Sequence, residues 1–333
     1  MTHKKRRFTY ALFLAAIFIC CVGIWKIPIH KSKQIYKIGI AVYDLDDSFM
    51  NGMTKTLEQA LETQVSTELP IRYEVADAKG SDNIQQKQIQ YLINQHCDLL
   101  LLNLVKSDSA ADILNQVQGE NIPVILFNRE PDTMDLKIGE KIWYVGTNGE
   151  KAGILQANML QQLWDTQQNQ LDKNRNNKLD YIFIEGEQSH YDTIRRTNAF
   201  LSETEKSLPM NQISDVFADW DRQRAIDQLG TLSDQEIHEA EAIVCSNDDM
   251  ALGAYDFYQR KGLNSPIILG INKTDTMKQK IDDGEIYGTV DIQPEQQVQI
   301  ICDLINQISQ DKFTNQKVWY AEPQAYHKTS SIP

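Results

Sequence analysis

The sequence predicts an α/β protein with two parallel β-sheets, each flanked by helices. Short apolar runs alternate along the chain with longer stretches whose apolar residues return at helical spacing. The runs are rich in Ile, Val and Leu throughout, which is typical of strands buried on both faces of a parallel sheet. The chain has 333 residues and about ten β–α units. This number exceeds one ordinary doubly wound sheet and indicates two.

The candidate strands and helices follow from these patterns. The strands are predicted at residues 38–43, 71–75, 98–105, 124–127, 142–145, 181–184, 213–217, 242–245 and 267–271. Helices are predicted between them, for example at residues 51–66, 82–95, 107–118 and 250–261. In the first of these helices, Met53, Leu57 and Leu61 share one face. Such regular alternation requires parallel strands with right-handed crossovers.

Polar residues cluster just after several of the candidate strands. Open parallel sheets bind ligands beyond the carboxyl ends of their strands, so a functional site is expected at these positions. The polar segments are residues 44–47, 128–130, 187–192, 219–221, 247–249 and 272–273.

The N-terminus has the pattern of an export segment. Four basic residues at positions 4–7 precede an uncharged apolar stretch at 8–25. Basic residues stay on the cytoplasmic side, so the chain beyond residue 34 should emerge outside. The stretch can just span a hydrocarbon core of ~30 Å. It is not followed by an Ala-x-Ala-like cleavage site, and Ile19 is bulky for a lipoprotein cleavage box before Cys20. We therefore predict a membrane anchor in residues 1–34, with a cleaved signal peptide or an atypical lipoprotein as alternatives.

Charge and cysteine content narrow the class of protein. Residues 1–34 carry seven Lys and Arg and no acid, which leaves 26 basic against 46 acidic residues in the remainder. A region with this excess of acidic residues repels nucleic acid, so we expect no nucleic-acid partner. The five cysteines do not form a disulfide framework. Cys97 and Cys245 lie at strand edges among apolar neighbours, which predicts buried free thiols.

Five of the strand-end segments carry a resemblance to a known family. They are YDLDDSFM at 43–50, FNREP at 127–131, YVGT at 144–147, GEQSHYD at 186–192 and SNDDMA at 246–251. In these motifs and their order, the chain from Tyr36 to Tyr326 resembles the galactose/glucose-binding proteins that serve sugar ABC transporters and chemoreceptors. The resemblance implies the type I periplasmic binding protein fold. This fold has two Rossmann-like lobes, a three-segment hinge and a sugar in the cleft between the lobes.

The resemblance also implies how the chain is divided. The crossings between lobes are expected near Gly146, Thr289 and Ala321. The first lobe is then residues 35–146 with 291–318, and the second is residues 147–290 with 319–333.

A sugar site needs two kinds of side chain. A pyranose has two apolar C–H faces and a rim of hydroxyl groups, so it calls for aromatic plates together with carboxylate, amide and guanidinium groups. By the resemblance, the plates are Phe49 and Trp220. The rim residues by the same resemblance are Asp47, Asn128, His190, Asp192, Arg196, Asn247 and Asn272.

Each of these residues also has a purely structural explanation. Asp47, Asn247 and the His190–Asp192 pair lie at helix starts or turns, where capping alone would account for them. Phe49 and Trp220 could be packing residues, and Arg196 could form an ion pair along its helix. Their joint placement at the strand ends of both lobes favours the binding site.

Two positions depart from the family pattern and bear on the ligand. The family has Asp where this chain has Asn272, and Asn where this chain has Ile292. A sugar hydroxyl buried against Ile292 would be unpaired, at a cost of ~1–3 kcal/mol. We expect a hexose of the D-galactose or D-glucose type, with xylose or another pentose as the alternative.

A calcium site is predicted within residues 172–180. Oxygen-bearing side chains occupy alternate positions of this segment, and a backbone carbonyl completes the spacing of an EF-hand loop, with Asn177 at the sharp turn. The resemblance supplies a distant closing carboxylate, Glu241. The predicted ligands are Asp172, Asn174, Asn176, Lys178 through its carbonyl, Asp180 and Glu241. The alternative is an Asn-rich surface turn without an ion.

The functional prediction is a binding protein and not an enzyme. The sequence contains no Gly-x-Ser-x-Gly, His-Glu-x-x-His or phosphate-loop motif. A glycosidase needs only two carboxylates, so composition alone does not exclude one. A sugar-responsive repressor would need a helix-turn-helix where this chain has its apolar segment. The predicted partners are a monosaccharide and an ABC permease. The alternative is a membrane-anchored sensor that signals to a histidine kinase or chemoreceptor.

Overall fold

The computed structural model describes residues 35–65, 69–107 and 110–328. Both sheets lie in one compact unit, which begins at Tyr36. The predicted anchor at residues 1–34 lies outside the described residues, as do residues 329–333. Among the residues that are described, no helix is both long and apolar enough to cross a membrane.

The first lobe is built on a six-stranded sheet in which all neighbouring strands are parallel. Its spatial order is β2-β1-β3-β4-β5-β11. The strands are β1 (Tyr36–Val42), β2 (Ile71–Asp77), β3 (Leu99–Leu102), β4 (Val124–Phe127), β5 (Ile142–Thr147) and β11 (Val318–Ala321). Every residue of β3, β4 and β5 is buried, as the continuous apolar runs predict.

The second lobe repeats this strand order as β7-β6-β8-β9-β10-β12. Its strands are β6 (Leu179–Glu185), β7 (Met210–Phe217), β8 (Ala242–Cys245), β9 (Ile267–Asn272), β10 (Gly288–Asp291) and β12 (Gln324–His327). The edge strand β12 runs antiparallel to β10, whereas the other pairs are parallel. The prediction of two parallel sheets is therefore confirmed except at this edge.

Helices cover the sheets of both lobes. They are α1 (Ser48–Ala60), α2 (Asp82–Asn94), α3 (Ala110–Gly119), α4 (Gly149–Leu171), α5 (Tyr191–Ser207), α6 (Arg222–Leu229), α7 (Asp234–Glu239), α8 (Asp248–Lys261), α9 (Asp275–Asp283) and α10 (Pro294–Ile308). A π-helical turn, Leu61–Val65, extends α1, and a short 3-10 helix lies at Asp135–Lys137. Helix α10 packs against α1 in the first lobe, and α4 packs along α5 in the second.

The chain passes between the lobes three times. It leaves the first sheet after Thr147, returns after Asp291 and leaves again after Ala321. Two predicted boundaries differ from these positions. Asp291 is the last residue of β10, which belongs to the second sheet. Residues 319–321 pair with β5 in the first sheet and not with the second lobe, because β11 extends through Ala321.

Hydrogen bonds hold two of the crossing segments together. The Thr147 hydroxyl donates to the carbonyl of Ile292 at 2.7 Å, and the buried Gln297 amide donates to the same carbonyl at 2.8 Å. Gln297 also donates to Thr147 Oγ1 at 2.9 Å. Two of the hinge segments are thus cross-linked by polar side chains of the first lobe.

Candidate ligand-binding site

One cavity lies between the lobes at the carboxyl ends of both sets of strands. Its volume is about 380 Å³, including the part of its mouth that is open to solvent. The lining residues are Tyr43, Asp47, Phe49, Met50, Asn128, Arg129, His190, Asp192, Arg196, Trp220, Asn247 and Asn272.

The cavity brings together all nine residues that were predicted from the sequence to form the ligand site. Three further lining residues, Tyr43, Met50 and Arg129, were not predicted. Tyr43 and Arg129 belong to the quoted motifs and stand at strand ends, so their position was a signal that could have identified them. Met50 also belongs to a quoted motif, but it is almost fully buried and packs in the hydrophobic core.

Several rim residues combine capping with cavity lining. Asp47 caps α1, where its Oδ1 accepts from the Met50 backbone N–H at 2.8 Å. Its Oδ2 accepts from the Tyr43 hydroxyl. Asn247 caps α8 in the same way, and its Nδ2 donates to the carbonyl of Trp220 at 2.9 Å. The capping explanation is therefore correct for these residues, and it does not remove them from the cavity.

His190 is buried in a form that can donate a hydrogen bond. Burial, together with the nearby Arg129 and Arg196, holds its pKa well below the ordinary value, so the imidazole is neutral. Its Nδ1 accepts from the Asp192 backbone N–H at 3.1 Å. The proton of the neutral ring must then be on Nε2, which is buried and has no hydrogen-bond partner among the described residues.

Trp220 and Arg196 contribute two more buried donors. The Trp220 ring stands edge-on to His190, with centroids 5.3 Å apart, and the Arg196 guanidinium carbon lies 5.6 Å from the indole centroid. Arg196 donates to the carbonyl of Ser246 at 2.7 Å. Within the described chain, Trp220 Nε1 and Arg196 Nε have no hydrogen-bond partner. Buried polar atoms of this kind usually have one, so these donors are suited to a polar ligand.

Asp192 is an acidic group under opposing influences. Burial raises its pKa, while Arg196 and the backbone N–H of Glu130 oppose that rise. In the described part of the chain, Asp192 does not form a direct ion pair with Arg196, so the helical ion-pair explanation for Arg196 is replaced by its bond to Ser246. A ligand hydroxyl that donates to Asp192 would favour the ionised carboxylate.

The two departures from the family pattern differ in their surroundings. Asn272 lines the cavity and has a backbone φ of 133°, an unusual value for a residue other than Gly. Ile292 is not among the lining residues, and its side chain lies in the hydrophobic core. The expectation that a ligand hydroxyl is buried against Ile292 is therefore wrong, because this segment turns its side chain away from the cleft.

Comparison with known proteins decides the family. Residues 38–312 match the model of one family, described as periplasmic binding protein domain. The chain belongs to this family.

The relatives of this periplasmic binding protein are themselves binding proteins. It is 29% identical over 278 residues to the D-galactose/methyl-galactoside binding periplasmic protein of Haemophilus influenzae, covering 83% of this chain and 82% of that one. A solute binding protein from Bacillus halodurans with bound myo-inositol is similar in fold, with a TM-score of 0.75, 21% identity, and 89% and 96% of the two chains covered. The fructose binding periplasmic domain of a hybrid two-component system has a TM-score of 0.73 at 18% identity, with 88% and 91% covered.

The lobes of this periplasmic binding protein contact each other across the cleft. Arg129 of the first lobe pairs with Glu187 of the second at 2.9 Å. Glu130 of the first lobe pairs with Arg195 of the second at 3.3 Å. The Ser48 hydroxyl donates to Asp249 at 2.8 Å. The structure thus shows the lobes closed over the cavity.

The predicted calcium loop forms a compact polar turn. The amide groups of Asn174 and Asn176 donate to Asp180 Oδ2 at 2.6 and 2.8 Å, and Asp172 accepts the Asn176 backbone N–H at 2.9 Å. Asn177 has a φ of 62°, the left-handed conformation expected at the sharp turn. Within the part of the chain that is described, no group of three or more His, Cys, Asp and Glu side chains is arranged to hold a metal.

Glu241 is close to this loop and strongly buried. Its carboxylate accepts the backbone N–H groups of Lys173 at 2.5 Å and Asp180 at 3.0 Å. Burial raises its pKa, the two N–H groups lower it, and Asp180 and Asp172 raise it further. The carbonyl of Lys178 remains a predicted ligand.

The three cysteines of the described residues are buried and free. Burial raises the pKa of the Cys97 and Cys302 thiols to about 11 and that of Cys245 well above its usual range. The prediction of buried free thiols at Cys97 and Cys245 is confirmed.

Proposed function

We propose that the cavity binds a monosaccharide, with a hexose of the D-galactose or D-glucose type first. The proposal is supported by one observation: Phe49, Trp220 and a ring of polar groups line the same cavity between the lobes. Two aromatic side chains can cover the apolar faces of a pyranose. The buried donors at His190, Arg196 and Trp220 can bond its oxygens.

The names of the relatives agree with this chemistry. The Haemophilus influenzae protein is named for D-galactose and methyl-galactoside, and the Bacillus halodurans structure contains myo-inositol. All three are rings that carry several hydroxyl groups. Because Ile292 does not line the cavity, only Asn272 still favours a pentose such as xylose.

Calorimetric titration of the purified protein tests the proposal. The ligands are glucose, galactose, xylose, arabinose and ribose, with tryptophan fluorescence as a second readout. We expect one sugar to bind and its affinity to fall at least about 10-fold in Asp192→Ala and Trp220→Ala. Arg222→Gln is the control, since Arg222 pairs with Asp256 inside the second lobe. A folded protein that binds none of the five sugars would contradict the proposal.

We further propose that the protein acts outside the cytoplasm as the substrate-binding component of a sugar ABC transporter. This role is supported by family membership, by the periplasmic location in the name of the Haemophilus influenzae protein and by the description of the Bacillus halodurans protein as an ABC transporter solute binding protein. The alternative is a membrane-anchored sugar sensor, which would use the same cleft and rests on the predicted anchor at residues 1–34. Deleting the gene distinguishes the two roles. Loss of sugar uptake supports transport, whereas intact uptake with loss of a transcriptional or chemotactic response supports sensing.

A structural Ca²⁺ in the loop at residues 172–180 is a separate proposal. It is supported by the burial of Asp172, Asp180 and Glu241, whose carboxylates lie close enough for the first two to raise the pKa of the third. A bound cation would neutralise them, and their oxygens are ligands that Ca²⁺ prefers. The Asn174 and Asn176 side chains already point at Asp180.

Thermal unfolding with added Ca²⁺ or with a chelator tests this site. At a Ca²⁺ concentration about 100 times the Kd, the ion should stabilise the fold by about 2.7 kcal/mol. Asp180→Asn should abolish most of this effect. Asp165→Asn is the control, because Asp165 accepts from Gln161 on the exposed face of α4, away from the loop. Equal stability with Ca²⁺ and with chelator would contradict the proposal.

A further inference from the structure

A wide polar groove lies immediately outside the ligand cavity. It has a volume of about 1,260 Å³, including its open side. Tyr43 and Val105 of the first lobe form one side, and Glu187, Asp219 and Arg224 of the second lobe are among the residues of the other. Tyr43 lines both the groove and the cavity, so the two spaces are neighbours.

Three residues, Tyr43, Arg129 and Glu187, separate the groove from the cavity, and we name them the cleft wall. The Arg129 guanidinium lies on the Tyr43 ring, 3.8 Å from its centroid. It donates to the carbonyl of Val105 at 2.5 Å and to Glu187 at 2.9 Å. Arg129 is on the cavity side, and Glu187 is on the groove side.

The burial of the wall residues shows how firmly this boundary is held. The Arg129 side chain is 5% exposed and Glu187 is 36% exposed. Glu187 raises the pKa of Arg129 against the effect of burial, so the guanidinium stays charged. Removing the partner of a buried charge is costly, because the remaining charge is then left uncompensated.

We propose that the Arg129–Glu187 pair determines ligand specificity by confining the cavity to an unsubstituted ring. This inference rests on the proposed function, the binding of a monosaccharide. A ligand with a substituent directed at the cleft wall must separate Arg129 from Glu187 to reach the groove. The groove itself has room for a second ring. The ion pair therefore disfavours glycosides and disaccharides whose substituent is directed at the cleft wall, although the groove outside has space for that substituent.

The test compares the affinity of the bound monosaccharide with those of its two methyl glycosides and of disaccharides that contain it. In the unchanged protein we expect each substituted sugar to bind at least about 10-fold more weakly than the parent. The ratio of the affinity for the parent sugar to that for a substituted sugar measures this discrimination. In Glu187→Ala the ratio should fall by about 10-fold or more for at least one substituted sugar. Glu187→Gln fills the same space and can accept a hydrogen bond from Arg129, so it should retain most of the discrimination.

Asp219→Asn is the matched control. Asp219 lines the same groove and also pairs with an arginine, Arg224, but that pair lies within the second lobe. The ratio of the affinity for the parent sugar to that for each substituted sugar should be the same in Asp219→Asn as in the unchanged protein.

The outcomes separate the two proposals. If the protein binds no monosaccharide, the proposed function fails and this inference fails with it. If the protein does bind a monosaccharide, either of two results would contradict the role of the Arg129–Glu187 pair in specificity and leave the proposed function intact. One is that the unchanged protein binds the substituted sugars as tightly as the parent monosaccharide. The other is an unchanged ratio in Glu187→Ala, with circular dichroism showing that the variant is folded.

Discussion

Glu130 is a buried carboxyl group whose proton affinity is altered by folding. One of its oxygens accepts from the Tyr320 hydroxyl at 2.6 Å and from Arg195 at 3.3 Å. The other oxygen is buried and unpartnered within the described residues. Burial raises the pKa of Glu130 from 4.5 to about 7, although Tyr320 and Arg195 oppose the rise.

This pKa predicts a pH dependence of stability. Between about pH 4.5 and pH 7 the folded state holds the Glu130 proton more tightly than the unfolded state does. The free energy of unfolding should therefore be highest at the acidic end and fall as the pH rises through this window. Glu130→Gln should remove about 1–3 kcal/mol of that fall. Denaturant unfolding at several pH values measures it.

Exposed and buried carboxyl groups should behave differently in that experiment. Asp248 is also buried with a pKa of about 7, so some fall with pH should remain in Glu130→Gln. Glu322 is exposed and pairs with Lys151, and Glu322→Gln should retain the full pH dependence. If Glu130→Gln and the unchanged protein showed the same slope, the assignment to Glu130 would be wrong.

At the scale of elements, the contact between α4 and α5 positions part of the site. Gly153 of α4 faces the backbone of α5 so closely that an added Cβ would lie 2.2 Å from the carbonyl oxygen of Arg196. Helix α5 carries Asp192 in its first turn and Arg196 one turn later. The close approach at Gly153 therefore determines where two rim residues lie.

A pair of glycine substitutions tests this contact. Gly153→Ala forces the helices apart and should destabilise the protein by about 1–3 kcal/mol, with weaker sugar binding. Gly52→Ala is the control, since Gly52 is an exposed helical glycine of α1 with open space around it. That change should stabilise the protein by about 0.5–1 kcal/mol. Thermal unfolding and calorimetry of both variants measure the two effects, and unaltered affinity in Gly153→Ala would contradict the positioning role.

Some elements could be predicted from sequence because their signal is local. The apolar runs that became β3, β4 and β8 are buried on both faces, so composition alone reveals them. Strand β12 pairs antiparallel at a sheet edge, and its residues are partly exposed and carry no apolar run. Likewise, β11 joins the first sheet through pairing with β5, a contact between distant parts of the chain.

The same distinction between local and long-range signals applies to the binding site. The family resemblance was enough to gather Asp47, Asp192 and Asn247, because the motifs that contain them follow strand ends, where open parallel sheets bind ligands. The direction of Ile292 was not predictable, since it depends on the turn in which Asp291 accepts the Gln293 N–H at 2.8 Å. Contacts between lobes, such as Arg129 with Glu187, depend on closure and leave no local pattern.

At the scale of the whole molecule, closure is held by contacts away from the ligand. The Arg195–Glu130 pair joins the lobes, and Arg195 does not line the cavity. A ligand that contacts both lobes gains affinity in proportion to the closed population. Weakening an interlobe contact should therefore reduce affinity without any change in the contacts to the sugar.

Arg195→Gln tests this coupling. The pair is partly buried, so its loss should reduce sugar affinity by about 3- to 10-fold. Arg222→Gln removes a comparable ion pair inside the second lobe and should leave affinity unchanged. Small-angle X-ray scattering should show the same compact form for both variants at saturating sugar, because the ligand still favours closure. Without sugar, Arg195→Gln should have the larger radius of gyration. If the two variants matched in affinity and in unliganded size, the interlobe pair would have no part in closure, and the energy of closing would have to come from the cavity contacts alone.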